Sequence, residues 1–164
     1  MSKSLVIHAP VFIGCCALVL VSSVLLAAPA LAVPTMWGVR GGAYAEPDDP
    51  FIGGEVQFDT GHKGAWQVNP NAEHVFMDDG SLSNVSCDFH YDIPSGSELS
   101  WWLGAGPTVL FRDENVAGND DSVDPGANLL VGASARTGEI RPYGQFKVVV
   151  SDDSAAVFAV GMRW

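Results

Sequence analysis

Across most of this chain apolar side chains recur at every second residue. That period, which sends alternate side chains to opposite faces of an extended strand, constrains the fold more than any other feature. Residues 155–164 show it best: Phe158, Val160, Met162 and Trp164 share one face, and Val157, Ala159, Gly161 and Arg163 the other. One face is wholly apolar, while the other admits a guanidinium. Upstream, Arg141, Tyr143, Gln145 and Lys147 oppose Phe146, Val148 and Val150, and Ser86, Asp88, His90 and Asp92 oppose Val85, Cys87, Phe89, Tyr91 and Ile93. Gln67, Asn69, Asn71 and Glu73 align on one face, as do Glu55, Gln57 and Asp59. No long segment carries a helical period, and clusters of Gly, Pro, Asn and Asp separate the alternating stretches. The pattern predicts an all-β fold with strands over 36–45, 51–60, 64–77, 82–93, 98–113, 127–136, 139–151 and 155–164. These are eight strands, an even number, each near the roughly 9–11 residues that a tilted strand needs to cross a bilayer.

The first 32 residues stand apart. Lys3 lies in a short polar start, an apolar stretch runs over 11–28, and Ala30-Leu31-Ala32 offers small residues at a cleavage site. This is the pattern of a secretory signal peptide, cleaved before Val33. A permanent membrane helix is the alternative for so long an apolar stretch, and Pro29 argues against it. A lipid anchor at Cys15, after Phe12-Ile13-Gly14, is disfavoured because most of the apolar segment follows that cysteine. Loss of the leader removes Lys3 and no acid, leaving seven basic side chains against 19 acidic ones. Nucleic acid is therefore not an expected partner. Cys15 and Cys16 leave as well, so Cys87 has no intramolecular disulfide partner. Residues 33–164 suit a single domain.

Alternation alone does not say which face points inward, and a soluble barrel with an apolar core would alternate too. The charges favour the opposite arrangement. Arg40, Arg112, Arg136, Arg141, Lys147 and Arg163 fall on the polar faces together with Glu55, Asp59, Glu73, Asp88 and Asp92, while Lys63 falls in a turn. Opposite charges so gathered can neutralise one another inside a narrow barrel, so these eleven residues are the predicted ion-pair network of a polar lumen, and the apolar faces are predicted to meet lipid. Other acids gather in the odd-numbered connections: Glu46, Asp48 and Asp49; Asp78 and Asp79; the segment 113–126; and Asp152 and Asp153. The even connections, around 61–64, 94–98 and 137–139, read as shorter and far less acidic. Long outer loops and short periplasmic turns are the habit of outer-membrane barrels.

Taken together, the opening Trp37-Gly38-Val39-Arg40-Gly41-Gly42, the Gly53-Gly54-Glu55-Val56 and Arg141-Pro142-Tyr143-Gly144 strands and the alternating aromatic end resemble the small OmpA/OmpX-type outer-membrane barrels. The resemblance covers nearly all of 33–164. It implies an eight-stranded antiparallel up-and-down transmembrane β-barrel in a Gram-negative-type outer membrane, in contact with membrane lipid and lipopolysaccharide, and monomeric. It also implies that Phe158, Val160, Met162 and Trp164 form the signal read by the barrel assembly machinery, with Trp164 in place of the more usual terminal Phe.

No cofactor and no catalytic set is expected. Asp88, His90 and Asp92 span roughly 13 Å of strand, too far for one ion to hold all three comfortably. The acids of 113–126 match no EF-hand spacing. Two rivals to a non-enzymatic structural or surface-interaction role stay open. One is a lipid A-modifying membrane enzyme, for which the sequence offers no His-x-Ser pair; the other is a soluble ligand-binding barrel. Trp37, Trp66, Trp101 and Trp164 read as interface-belt residues, and strand phase turns Trp102 inward.

Overall fold

Backbone pairing runs from each strand to the next and from the last to the first, so no open edge remains. The structure, a computed structural model, describes residues 35–45, 48–60, 65–78, 80–114 and 122–164. The strands are β1 (Thr35–Ala45), β2 (Asp48–Asp59), β3 (Trp66–Met77), β4 (Gly80–Ile93), β5 (Leu99–Glu114), β6 (Ser122–Ala135), β7 (Arg141–Val150) and β8 (Ala155–Arg163). All neighbours are antiparallel and the sheet closes as a barrel. Closure joins β1 to β8 in a register that sets Gly38 opposite Arg163 and Tyr44 opposite Val157. Trp37 and Trp164 extend it through two backbone hydrogen bonds of 3.0 and 2.9 Å. We call this the terminal end of the barrel and its opposite the far end. The predicted signal peptide over 1–32, Lys63, and the acids at positions 46, 79, 120 and 121 lie outside the described residues.

All eight predicted strands form, and two of them start at least three residues earlier than expected. β2 begins at Asp48 and β6 at Ser122 rather than at 51 and 127. Asp, Pro and Ser there read as turn residues, yet a ladder is built from backbone groups, and neighbouring strands offer partners: Tyr44 and Ala45 face Asp49 and Asp48, and Arg112 faces Ser122. This overturns the expectation that connections at one end would be uniformly longer. Those at the far end span 46–47, 78–79, 115–121 and 151–154, and those at the terminal end 60–65, 94–98 and 136–140. Much of the far-end acidity, including Asp48, Asp49, Asp113 and Asp124, sits on strand extensions.

Burial alternates along each strand as the period demands. Ile52, Phe158, Val160 and Leu129 are more than half exposed on the outer wall, whereas Asn69, Asn84, Asp88, Asn128 and Lys147 are wholly enclosed. Four of the five tryptophans, Trp37, Trp66, Trp101 and Trp164, stand outward at the terminal end, with Tyr91 against Trp66 at a ring separation of 5.0 Å. Trp102 points inward and is 2% exposed. From Trp66 to Phe76 the outward side of β3 covers ten residue-to-residue steps, or about 25 Å of height for a strand rising about 3.4 Å per residue at a tilt of roughly 40°.

The interior changes character along the axis. Toward the far end Tyr44, Phe51, Val75, Leu82, Leu110, Val149, Val157 and Ala159 pack into an apolar plug. The gathering of charges predicted an ion-paired lumen, and the plug is an addition to it: apolar side chains share the inward face wherever the strands approach the far end. Toward the terminal end Trp102, Leu130 and Tyr143 form a second, smaller cluster.

Candidate functional site: the barrel interior and its two mouths

Between the two apolar clusters lies a chain of alternating charges. Arg163 of β8 donates to Glu55 of β2 through Nε at 2.7 Å and Nη2 at 3.3 Å. Glu55 also lies 3.7 Å from Arg40, whose other terminal nitrogen is 2.5 Å from Glu73. Lys147 closes the run, its Nζ 2.9 and 2.8 Å from the two oxygens of Glu73. The order is therefore Arg163, Glu55, Arg40, Glu73, Lys147, with cations at both ends. Asp88 supplies the missing negative charge. It accepts from Asn71 at 2.8 Å and Asn128 at 2.9 Å, and Arg40 also donates to Asn71. Three cations and three carboxylates thus balance in a space closed to water, where an unmatched charge would be very costly. Amides and hydroxyls take up part of the remaining valence: Tyr44 donates to Glu73 at 2.9 Å, Asn84 to Tyr44 at 3.0 Å, and Asn69 to Glu55 at 3.1 Å, while Arg40 Nε and Asn128 Oδ1 have no hydrogen-bond partner among the described residues.

Two glycines make these pairs possible. Register puts Arg40, Gly53 and Glu73 in one row across β1, β2 and β3, and Glu55, Gly38 and Arg163 in one row across β2, β1 and β8. Each ion pair therefore reaches over an intervening strand. A Cβ on Gly38 would stand 2.7 Å from Glu55 Oε1, and one on Gly53 would stand 2.5 Å from the Ala72 carbonyl oxygen and 3.1 Å from Glu73 Cγ. Absence of a side chain at both positions lets the partners meet. The same device serves the aromatic layer, where the Trp102 indole lies over Gly132 and the Tyr143 ring over Gly161.

Of the eleven residues predicted for the lumen network, the structure brings six together: Arg40, Glu55, Glu73, Asp88, Lys147 and Arg163. Asp92 stands apart, half-buried near the terminal mouth, accepting from Gln67 at 3.1 Å. Asp59 is half-buried at the terminal end of β2. Arg112 is at the far mouth, 3.3 Å from Asp153. Arg136 lies beyond β6 in an exposed turn, donating to Ser95 at 3.1 Å, and half-buried Arg141 reaches the Gly138 carbonyl at 3.5 Å. Placing these last three arginines in the central network is corrected by depth: strand phase turns a side chain inward, but a residue at a strand end opens onto a mouth. His90 does not meet Asp88 and Asp92 around a common centre; its ring stacks on Trp102 at 5.8 Å. Arg163 lies over both aromatic rings, 4.1 Å from the Tyr143 centroid and 5.1 Å from that of Trp102. No cluster of three metal-ligating side chains exists among the described residues.

Both mouths open into cavities. The far one, about 350 Å³, has an apolar floor that includes Val75, Leu82 and Leu110 beneath a rim bearing Asp49, Arg112 and Asp153. The terminal one, about 330 Å³, is lined by Asp92, Trp102, Ser134, Arg136, Arg141 and Arg163 among others. On the outer wall, polar side chains gather on β3 to β5 near the far end: His74, Ser81, Ser83 and Asp113. His74 Nδ1 and Ser83 Oγ, directly opposed in the ladder, are 3.3 Å apart, with the Phe76 ring edge-on to the imidazole at 5.0 Å. A search along the sequence for His-x-Ser misses this pair because it forms across strands. Strand register is the signal that finds it.

A closed eight-stranded antiparallel barrel with an ion-paired interior and an apolar wall is, as a fold, the small outer-membrane barrel of the OmpA/OmpX type. The N-terminal β-barrel domain of Pseudomonas aeruginosa OprF matches with a TM-score of 0.60 at 16% identity, over 79% of this chain and 96% of that one. Neisserial surface protein A matches with a TM-score of 0.60 at 13% identity, over 79% and 94%. The outer membrane enzyme PagL matches with a TM-score of 0.52 at 10% identity, over 78% and 97%. No protein-family model and no curated protein sequence matches the chain. The likeness is one of fold, and because an enzyme shares that fold it leaves activity open.

Proposed function

We propose that residues 33–164 are an integral outer-membrane barrel with a filled lumen, without enzymatic activity, serving the envelope as a structural or surface-interaction element. The observation that carries this reading is the inversion of polarity: a wall with Ile52, Leu129, Phe158 and Val160 more than half exposed surrounds an interior with Lys147, Asp88 and Asn69 wholly buried. Water would disfavour such a wall, whereas lipid disfavours any other. Eight strands leave an interior just wide enough for side chains, and here plug and network occupy it. Membrane lipid and lipopolysaccharide are the expected neighbours of the wall and the acidic far end, and the chain acts as a monomer delivered by its leader. Outward-facing Phe158, Val160, Met162 and Trp164 are available to the barrel assembly machinery as one apolar edge motif.

The protein should fractionate with the outer membrane, migrate faster on gels before heating than after, and give no large steady conductance in planar bilayers. Recovery in the soluble periplasmic fraction would sink the membrane reading, and a large steady current would sink the filled lumen.

One observation favours a second reading. His74 and Ser83 make a base and nucleophile pair within reach of each other on the wall, next to where lipid esters would lie. Labelling of Ser83 by a fluorophosphonate, lost in Ser83→Ala, together with altered acyl chains on lipid A by mass spectrometry, would establish an enzyme. Absence of both leaves the non-enzymatic reading in place.

A further inference from the structure

Three of the chain's eight basic residues, Arg136, Arg141 and Arg163, line the cavity of about 330 Å³ at the terminal mouth. That is unusual crowding in a chain of formal net charge −11. Arg163 is committed, with Glu55 on its edge and the Tyr143 ring on its face. Arg136 and Arg141 are not: each touches a single neutral oxygen among the described residues, that of the Ser95 hydroxyl or the Gly138 carbonyl. Their forked donors are otherwise open. Ser100 and Ser134, cross-strand partners, bring two hydroxyls to the same cavity. Trp102 adds a buried indole N–H with no hydrogen-bond partner. Asp92 is the carboxylate in the lining, and Gln67 holds it.

The other mouth makes the contrast. There Arg112 faces Asp153 at 3.3 Å, so the cation at that rim is matched from within the chain. At the terminal mouth Arg136, Arg141 and Arg163 face one lining carboxylate, Asp92, so cations outnumber acids there. We propose that this mouth is an oxyanion site taking a phosphate group between Arg136 and Arg141, with Ser100 and Ser134 as hydroxyl donors. Guanidinium forks match the paired oxygens of phosphate, and low-dielectric walls concentrate the field at the mouth. The cavity is within the roughly 300–1,000 Å³ of small-molecule sites. The phosphate group can belong to a lipid headgroup reaching around the rim beside the outward tryptophans, or to a free ion. The site does not depend on what surrounds the outer wall.

The test uses the folded full-length barrel in alkyl maltoside micelles, which carry no phosphate. Inorganic phosphate is titrated against sodium chloride at matched ionic strength, and arginine side-chain Nε–H and Ser100 and Ser134 amide signals are followed by NMR. Saturable shifts are expected in the unmodified protein and in Arg112→Gln. At least tenfold weaker binding is expected in Arg136→Gln/Arg141→Gln. If the double variant fails to fold, Arg141→Lys carries the test, since it keeps the charge, loses the fork and should bind several-fold more weakly. Repeating the titration in nanodiscs containing phosphatidylglycerol separates the sources: a weakened response assigns the site to lipid headgroups, and an unchanged one to free phosphate. Shifts that chloride reproduces, or equal binding by the arginine variants, would overturn the proposal.

Discussion

The two halves of the lumen are filled by opposite chemistries. Toward the far end Phe51, Val75, Leu82, Leu110 and Val149 seal it by packing; in the middle Arg40, Glu55, Glu73, Asp88, Lys147 and Arg163 seal it by pairing. A water-soluble barrel has little such freedom, because its interior must supply the hydrophobic driving force. When the apolar surface is on the outside, the inside need only be full and satisfied. Packing degrades gradually as atoms are removed, whereas pairing fails sharply, since one deletion strands a buried partner.

The largest expected effect follows. Glu73→Gln leaves Arg40 and Lys147 sharing no carboxylate in the middle of the barrel and should cost about 3–5 kcal/mol, read as a lower urea midpoint for unfolding from vesicles. Glu73→Leu/Lys147→Leu removes one charge of each sign, leaving Arg163, Glu55, Arg40 and Asp88 balanced, and should recover much of that loss. If the double variant is no more stable than Glu73→Gln, charge balance is not what holds the middle. In the plug, Leu82→Ala should cost about 2–3 kcal/mol, the lower part of the range for buried leucines, because the adjoining cavity lets neighbours relax. An equal or larger loss than for Glu73→Gln would erase the distinction between the two seals.

How much of this was legible in the sequence depends on what each feature encodes. Alternation is local, so the existence of every strand and the division of its side chains between two faces could be read, and the gathering of opposite charges then said which face turns inward, Trp102 with it. Where strands end could not, because Asp48 and Ser122 look like turn residues and are paired only through backbone partners on other strands. Depth was also hidden. Val75 and Glu73 share a face one step apart, and nothing in the pattern says that one joins the plug and the other the charge chain. The same blindness put Arg136 and Arg141 in the network when they belong to a mouth. His74 and Ser83, nine residues apart, meet only because the β3–β4 hairpin folds them together.

The glycine rows turn this into a sharper test. Gly53→Ala adds one methyl group between Arg40 and Glu73, where a Cβ would sit 2.5 Å from the Ala72 carbonyl oxygen. Strain of about 1–2 kcal/mol is expected, and a backbone oxygen cannot swing aside as a side chain could. Gly144 faces outward with nothing within 4 Å of a Cβ, so Gly144→Ala is the control and should leave stability unchanged. Equal behaviour of the two would mean that the glycines serve the backbone alone and not the passage of ion pairs over it.

Among the charge deletions Arg141→Leu should have the smallest effect on stability. If Arg141 belonged to the central network, its loss would strand an interior carboxylate and cost as much as Glu73→Gln. Its position at the terminal mouth, with the Gly138 carbonyl as its contact, predicts a change within about 0.5 kcal/mol. The variant should therefore unfold at nearly the same urea concentration as the unmodified barrel and bind phosphate several-fold more weakly at the terminal mouth. A stability loss approaching that of Glu73→Gln would place Arg141 back among the charges that hold the middle together, and would make the mouth part of the seal.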